Sequence, residues 1–434
     1  MINSMYSFLD ELEKALGNMN AEARREILDD FTEHFRLARE EGKSDGQIIE
    51  ALGSPQSIAG QFFETYGIKA EKQGFQTPPS FDNNRHSEVF YNSESEAVEN
   101  EFSVNGVERI HIDVNVAEVK ITADHIQTIK TQIRVFNKKS QLQTFQESGS
   151  IEIIEKSQYG LFNFPFFHRK PAEIKVFVPI GSLLDFDLST RFGNTEIRGC
   201  TGKRLIMNNS FDNVRMDSTK FDNVSINTKA GNINLDRAAA ENSDIHTSAG
   251  DITATEGAGI LEAHTSAGNI KIKKHRGGNI NARSTAGNVF IDNAEGIIKA
   301  YSSAGNVTIE TLVSEYAEGG AGAGNVDISA HDVKGLKLSA KSGNAKAHID
   351  RILGNAEISA GAGNVELEAD LIQGDINAHS GTGNVEVKLP RDTAMRILAK
   401  RGVGSFINTL PNNEQSPYTL TASASVGTVK LIGK

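Results

Sequence analysis

From residue 191 onward the chain alternates apolar and polar positions in short runs, each opening just after a Gly-Asn pair. Asn269-Ile270-Lys271-Ile272-Lys273 and Asn306-Val307-Thr308-Ile309-Glu310 are typical. A period of two marks a β-strand with one buried face. Aligned on the pair, the first inward column reads Val214, Ile233, Ile252, Ile270, Val289, Val307, Val326, Ala345, Val365 and Val385. The second reads Met216, Leu235, Ala254, Ile272, Ile291, Ile309, Ile328, Ala347, Leu367 and Val387. Both are almost wholly aliphatic, and β-branched residues dominate the first, which suits stacked parallel strands.

The pair itself returns about every 19 residues: Gly193-Asn194, Gly231-Asn232, Gly268-Asn269, Gly287-Asn288, Gly305-Asn306, Gly324-Asn325, Gly343-Asn344, Gly363-Asn364 and Gly383-Asn384. Gly250-Asp251 and Asp212-Asn213 fill two gaps. A fixed period of this length predicts an all-β parallel β-solenoid, in which each repeat stacks on its neighbours. A second strand half a period away carries smaller inward residues, such as Ile280, Ala282 and Ser284, or Ile298, Ala300 and Ser302. Large residues on one wall then face small ones on the other. Weaker turns at Gly278-Asn279, Gly296, Gly335, Gly354-Asn355 and Gly374-Asp375 support two main strands per coil. The repeats amount to about eleven coils, a rod of roughly 50 Å at ~4.8 Å per strand.

At the corner, Gly leaves room that a side chain would obstruct, and Asn is read as tolerating left-handed φ/ψ. Asn232, Asn269, Asn288, Asn306, Asn325, Asn344, Asn364 and Asn384 are expected to stack as a structural turn ladder. Gly-rich turns also bind calcium or phosphate in other repeats. Here Asp replaces Asn only at Asp251 and Asp375, so a regular oxygen cage is missing.

Residues 1–68 change period. Phe8, Leu9, Leu12 and Leu16 share one helical face, ended by Gly17. Asn20 opens a second helix with Ile27, Leu28, Phe31, Phe35 and Ala38 as its stripe, stopped by Gly42. Ser44 with Gln47 makes a capping box for a third carrying Ile48, Ile49 and Leu52. Ser54-Pro55 starts a fourth containing Ile58, Ala59, Phe62 and Phe63. A unit this short buries little surface, so it is expected to lean on a partner, a second copy or the solenoid.

This head resembles the HAAS domain of Gram-positive membrane and signalling proteins. The resemblance rests on Phe8-Leu-Asp-Glu-Leu-Glu13, on Glu41-Gly-Lys-Ser-Asp45 and on Leu52-Gly-Ser-Pro-Gln-Ser-Ile-Ala59. It implies a protein partner bound through residues 1–68, often beside a membrane segment. No stretch here approaches the ~20 apolar residues needed to span a bilayer.

Residues 69–100, with Pro78-Pro79 and many Ser, Asn and Glu, read as a flexible linker. Residues 101–190 read as a β-rich N-terminal cap, 191–388 as the regular solenoid and 389–434 as the closing cap. The repeat with its flanks, residues 101–434, resembles a family of bacterial β-strand-repeat proteins labelled as adhesins. Ser266-Ala-Gly-Asn-Ile270 and Ser303-Ala-Gly-Asn-Val307 carry that likeness. Because some members accompany cell-envelope stress systems, the resemblance implies an envelope link.

Composition narrows the function. The 434 residues carry a net charge of −11, 40 Gly and no Trp, with a mean hydropathy of −0.35, as fits a thin solenoid. Residues 1–68 hold 13 acidic and 6 basic side chains, leaving only −4 for the remainder. Neither part offers a basic footprint, so no nucleic acid is expected. Cys200 is the single cysteine, which precludes an intrachain disulfide and reads as inert. The first ten residues lack a signal-peptide pattern, and the expected location is the cytoplasm.

Three constellations invite chemistry. Phe162, Phe164, Phe166 and Phe167 precede Arg169 and Lys170, a set suited to a membrane surface or a partner, or to plugging the solenoid end. The plug is the preferred reading, because exposed apolar clusters of this size are unusual on soluble proteins. Glu366, Glu368 and Glu386 would cluster on one outward face, and two carboxylates ~5 Å apart serve a retaining glycosidase. Lys346 and Lys388 lie close enough to make them ordinary surface pairs. His246 and His264 stack one coil apart, but Arg283 and Tyr301 continue their column, so a closed zinc site lacks ligands.

The expectation is therefore a non-enzymatic interaction protein with no cofactor and no metal. Its head binds a partner and its solenoid presents a ladder surface, in envelope-linked signalling or stress response, with peripheral membrane contact open through the Phe162–Phe167 loop. The alternatives are a surface adhesin or glycan-binding protein exported without a signal peptide, and a carbohydrate-active solenoid enzyme. The oligomeric state is not set by the sequence.

Overall fold

In the computed structural model, the described residues are 4–17, isolated positions from 24 to 59 together with 44–52, and 97–136, 141–156 and 171–434. The chain divides into two units. One comprises Met1–Glu94, Val135–Gln143 and Glu155–Lys170, the other Ser95–Arg134, Thr144–Ile154 and Pro171–Lys434.

In the first unit, helix α1 spans Met5–Ala15. Ser4 caps it: its hydroxyl accepts the Ser7 N–H while the Ser7 side chain returns to the Ser4 backbone. Leu16 ends the helix, and Gly17 turns back onto Lys14 O at 3.2 Å. Helix α2 spans Asp45–Leu52. The Asp45 carboxylate accepts the Met5 N–H at 2.8 Å and pairs with Arg39, whose hydrogen bond holds its pKa below the ordinary value. Phe8, Leu12 and Leu16 are buried with Phe31, Phe35, Ile48 and Ala59, and Phe8 lies 5.5 Å from Phe35 ring to ring. Ile27, Ala38, Ile58, Phe62 and Phe63 lie outside the described residues.

The second unit is a parallel β-solenoid of about 13 coils with about 19-residue spacing. The two inward columns stack residue on residue. Val214 pairs with Ile233, Ile233 with Ile252, and so on to Val385 and Val429, all at or below 1% exposure. Coils outnumber the eleven repeats because stacking begins earlier and ends later. Arg109–Asp124 already lies in register with Asp185–Arg198, so the region read as an N-terminal cap contains coils. Beyond it, residues 150–154 pair parallel with 109–113, and Ala172–Pro179 with 117–124. Two antiparallel strands, Thr128–Arg134 and Val98–Ser103, complete that end, the last starting inside the expected linker.

Packing volumes compensate within each coil. Gly319 has no room for a methyl, because Val326 would lie 2.7 Å from its Cβ. One coil later the sizes exchange walls: Leu336 and Leu338 face Ala345 and Ala347, and all four are buried. In these two coils the small residue on one wall offsets the large one on the other, which keeps the thin core filled.

Residues 389–434, read as a closing cap, add two coils laid down out of order. Ile376–Thr382 pairs with Thr419–Val426, which pairs in turn with Arg396–Val403. On the facing wall Val385–Leu389 pairs with Val429–Gly433, and that with Phe406–Asn408. The chain thus forms its outermost coil before filling the place beneath it.

Candidate functional surface of the solenoid

The corners are built by two hydrogen-bond ladders. Outside, from Asn213 onward, the corner Asn Oδ1 accepts the backbone N–H of the equivalent residue one coil on, whereas Asn194 Oδ1 accepts from the Asn213 side-chain amide at 3.1 Å. Asn213 bonds Asn232 at 2.9 Å, Asn269 bonds Asn288 at 3.0 Å, and Asn288 bonds Asn306 at 2.9 Å. Asn306, Asn325, Asn344 and Asn364 continue the series at 2.8–2.9 Å, and Asn384 takes the Thr428 N–H at 2.9 Å. Inside, buried hydroxyls donate to corner carbonyls: Thr265 to Gly250 O at 2.9 Å, Ser284 to Gly268 O at 2.8 Å and Ser302 to Gly287 O at 2.7 Å. Backbone groups that a tight bend takes out of the sheet are thereby satisfied.

The conformational reading of Asn needs correction. The ladder asparagines are absent from the positive-φ positions, which fall on Ser218, Arg237, Glu256, Lys274 and Asn293 at the other corner and on Ser148. Asn serves as an acceptor for the next coil rather than as a left-handed residue. Gly231, at φ 153°, is needed because a Cβ would sit 1.9 Å from Asp212 O.

The outward carboxylates form a neutralised ladder. Lys388 Nζ lies 3.1 Å from Glu366 and 2.8 Å from Glu386, bridging them. Both contacts raise the Lys388 pKa. Burial alone would raise that of Glu366, but the bond from Lys388 and the charges of Lys388 and Lys346 outweigh it and hold the group ionised. Glu368 is held down first by Lys434, at 3.0 Å.

His246 and His264 stack with ring centroids 4.8 Å apart and planes 4° from parallel. Arg283 follows, 4.9 Å from the Tyr301 ring. Burial, then the neighbouring His246 and Arg283, lowers the His264 pKa, which favours its neutral form. Among the described residues no group of three or more His, Cys, Asp or Glu is placed to hold a metal ion. Cys200 is buried, and burial pushes its thiol up to about 12. Phe162, Phe164, Phe166, Phe167, Arg169 and Lys170 lie outside the described residues. No helix among the described residues is long and apolar enough to cross a membrane.

One buried group was not singled out by the sequence reading. Asp212 stands in the glycine column, in register with Gly193, and is fully buried. Thr190 donates its hydroxyl to Oδ2. Oδ1 makes no protein hydrogen bond among the described residues, nor do the side chains of Thr195, Asn209 and Thr228, all buried nearby in the fold's first regular coils. Burial pushes the Asp212 carboxyl up to about 7. The sequence signal was an Asp where every other corner places Gly or a small turn.

Among curated proteins none matches the chain. Solved structures similar to it include one described as a cell-adhesion protein from Clostridium sporogenes ATCC 15579, at 11% identity and TM-score 0.16, covering 78% of this chain and 99% of that one. Another is described as a lipid-binding protein from Parabacteroides distasonis ATCC 8503, at 14% identity and TM-score 0.19, covering 77% and 97%. A third is described as an adhesin from Bacteroides fragilis NCTC 9343, at 12% identity and TM-score 0.17, covering 79% and 99%. Likenesses this remote carry no argument about function. The HAAS family model matches residues 7–61, on the helices whose core is described above. The Toastrack DUF4097 model matches residues 107–315 and 292–430, the coils themselves. The chain accordingly belongs to the Toastrack DUF4097 family and carries a HAAS domain at its head.

Proposed function

We propose that the protein is a non-enzymatic interaction scaffold: the helical head binds a protein partner and the solenoid presents a stiff ladder surface, in envelope-linked signalling on the cytoplasmic side. The observation that carries the non-enzymatic part is the Glu366–Lys388–Glu386 bridge. A glycosidase needs one carboxyl whose pKa is raised and open space between the pair. Here Glu366 is held below its ordinary value and an ammonium fills the gap. The head reading rests on the HAAS match over residues 7–61. On α1, Tyr6 is 76% exposed, on a helix whose Phe8 and Leu12 are buried. A solvent-facing aromatic is a ready anchor for a partner.

The test uses the full chain and its Tyr6→Glu variant as baits against membrane and cytosolic fractions. The reading expects one dominant envelope or regulatory protein that binds the wild type, binds again when purified, and is lost with Tyr6→Glu while the melting curve is unchanged. Polysaccharide hydrolysis by the wild type that disappears in Glu366→Gln or Glu386→Gln would sink it.

A further inference from the structure

The chain contains one Asn-Gly step, Asn105-Gly106. It forms the tip of the turn between Val98–Ser103 and Arg109–Asp124, and both residues are exposed. Gly106 takes φ 82°, and the turn is closed by the Val107 N–H, which donates to Val104 O at 3.1 Å. The Asn105 N–H donates to Ser103 Oγ at 3.2 Å. Among the described residues the Gly106 N–H has no acceptor and the Asn105 side-chain amide has no partner. Nothing stands within 4 Å of where a Cβ on Gly106 would lie, so the nitrogen is unshielded on that side.

The ladder asparagines are the opposite case. Asn269, Asn306, Asn325 and Asn364 are each followed by Ile or Val. The N–H of that following residue is engaged: Ile270 donates to Asn288 O, Val307 to Asn325 O, Val326 to Asn344 O and Val365 to Asn384 O, all at 2.8–2.9 Å. Loss of a side-chain amide through a cyclic imide requires the next backbone nitrogen, stripped of its proton, to reach the side-chain carbonyl carbon. A hydrogen-bonded N–H under a β-branched side chain is barred from that path twice, by its bond and by bulk. At Asn105 neither barrier stands.

We propose that Asn105 is a site of self-modification, which deamidates in the native protein to aspartate and isoaspartate. The Gly106 nitrogen gives up its proton and bonds to Asn105 Cγ. The Cγ–Nδ2 bond breaks, and ammonia leaves carrying that proton, so the imide ring closes. Water then opens the ring at one of its two carbonyls, returning a proton to the nitrogen and leaving a carboxylate. Opening at Cγ gives aspartate, and opening at the backbone carbonyl gives isoaspartate, with an extra backbone carbon. Water is the sole co-reactant. The turn must open for the ring to close, and the Val107 to Val104 bond is the one backbone bond that opposes it among the described residues. Either product adds a negative charge to the connection into Arg109–Asp124, and isoaspartate lengthens that connection.

Peptide mapping by mass spectrometry tests this on the full chain aged at pH 6 and pH 8, with fragmentation that tells isoaspartate from aspartate. Conversion at Asn105 should be faster at pH 8, because the attacking nitrogen must lose its proton. It should also be at least ~10-fold faster than at Asn306 or Asn325, whose coils would have to open first. Unfolding the chain in guanidinium should change the Asn105 rate by less than ~10-fold, since the native turn gives little protection. Asn105→Gln, whose longer side chain closes the ring slowly, should stay unconverted at that position and keep the wild-type melting curve. A native protein that retains its Asn105 amide while the unfolded chain loses it overturns the proposal. So does conversion at the ladder asparagines as fast as at Asn105, or conversion at Asn105 without isoaspartate, which would mark direct hydrolysis of the amide.

Discussion

The Oδ1 atom of Asn306 accepts the backbone N–H of Asn325 at 2.9 Å, one coil further along the solenoid. The same bond repeats from corner to corner, so each asparagine fixes the bend of its successor. Replacing Asn306 with Ala should cost about 1 kcal/mol, the net worth of one such bond. Asn306→Asp should be nearly neutral, because Asp251 already performs the role toward the Asn269 N–H at 2.7 Å. Denaturant midpoints of the two variants check the difference.

Two glycines should respond oppositely to alanine. At Gly250, φ is 156° and a Cβ would sit 2.1 Å from Gly231 O, so Gly250→Ala should cost about 2 kcal/mol or more. At Gly46, inside α2, nothing lies within 4 Å, and Gly46→Ala should stabilise the head by about 0.5–1 kcal/mol. Amide exchange in each unit separates the effects.

Asp212 should make stability depend on pH near neutrality. Its folded pKa of about 7 lies above the ordinary 3.8, so the proton binds more tightly in the folded state. The stabilisation is complete below pH 3.8 and is lost as pH rises through 7. Asp212→Gly, which restores the usual corner residue, should flatten the profile, so that its stability relative to the wild type rises between pH 5 and 8 by a few kcal/mol, roughly 1.4 per pKa unit. Unfolding curves at pH 5, 6.5 and 8 decide.

Removing the bridging lysine should expose the charge it neutralises. In Lys388→Met, Glu366 and Glu386 face each other in register without their shared cation. The loss should be about 1 kcal/mol at pH 7, since the groups are partly exposed. In the wild type the depressed Glu366 pKa contributes stability above 4.5 that disappears as pH falls through its folded value. The variant should lose that acid sensitivity, as read from unfolding midpoints between pH 3 and 7.

Cys200 should report opening of its coil. With a buried thiol pushed up to about 12, reaction with a disulfide reagent at pH 8 should be slow in the native protein and immediate in denaturant. Fast native labelling would show that this coil opens readily.

The sequence by itself determined the repeat, its strands and its corners. Period-2 alternation and the Gly-Asn spacing are local properties, and stacking multiplies each choice over many coils, so Val214 to Val385 could be aligned before any coordinates. The charge pairs around Glu366 were legible for the same reason, because one coil places Lys346 and Glu366 side by side. Tertiary structure alone decided what depends on the path of the chain. It placed residues 419–433 beneath 396–408 and brought Lys434 to Glu368 across 66 positions. It also revealed that Asp212 is sealed inside, that Asn works as an acceptor for its neighbour, and that Leu338 compensates Ala347. These outcomes rest on which surfaces meet after the chain turns back, and a repeating pattern carries no record of the order in which its coils are laid down.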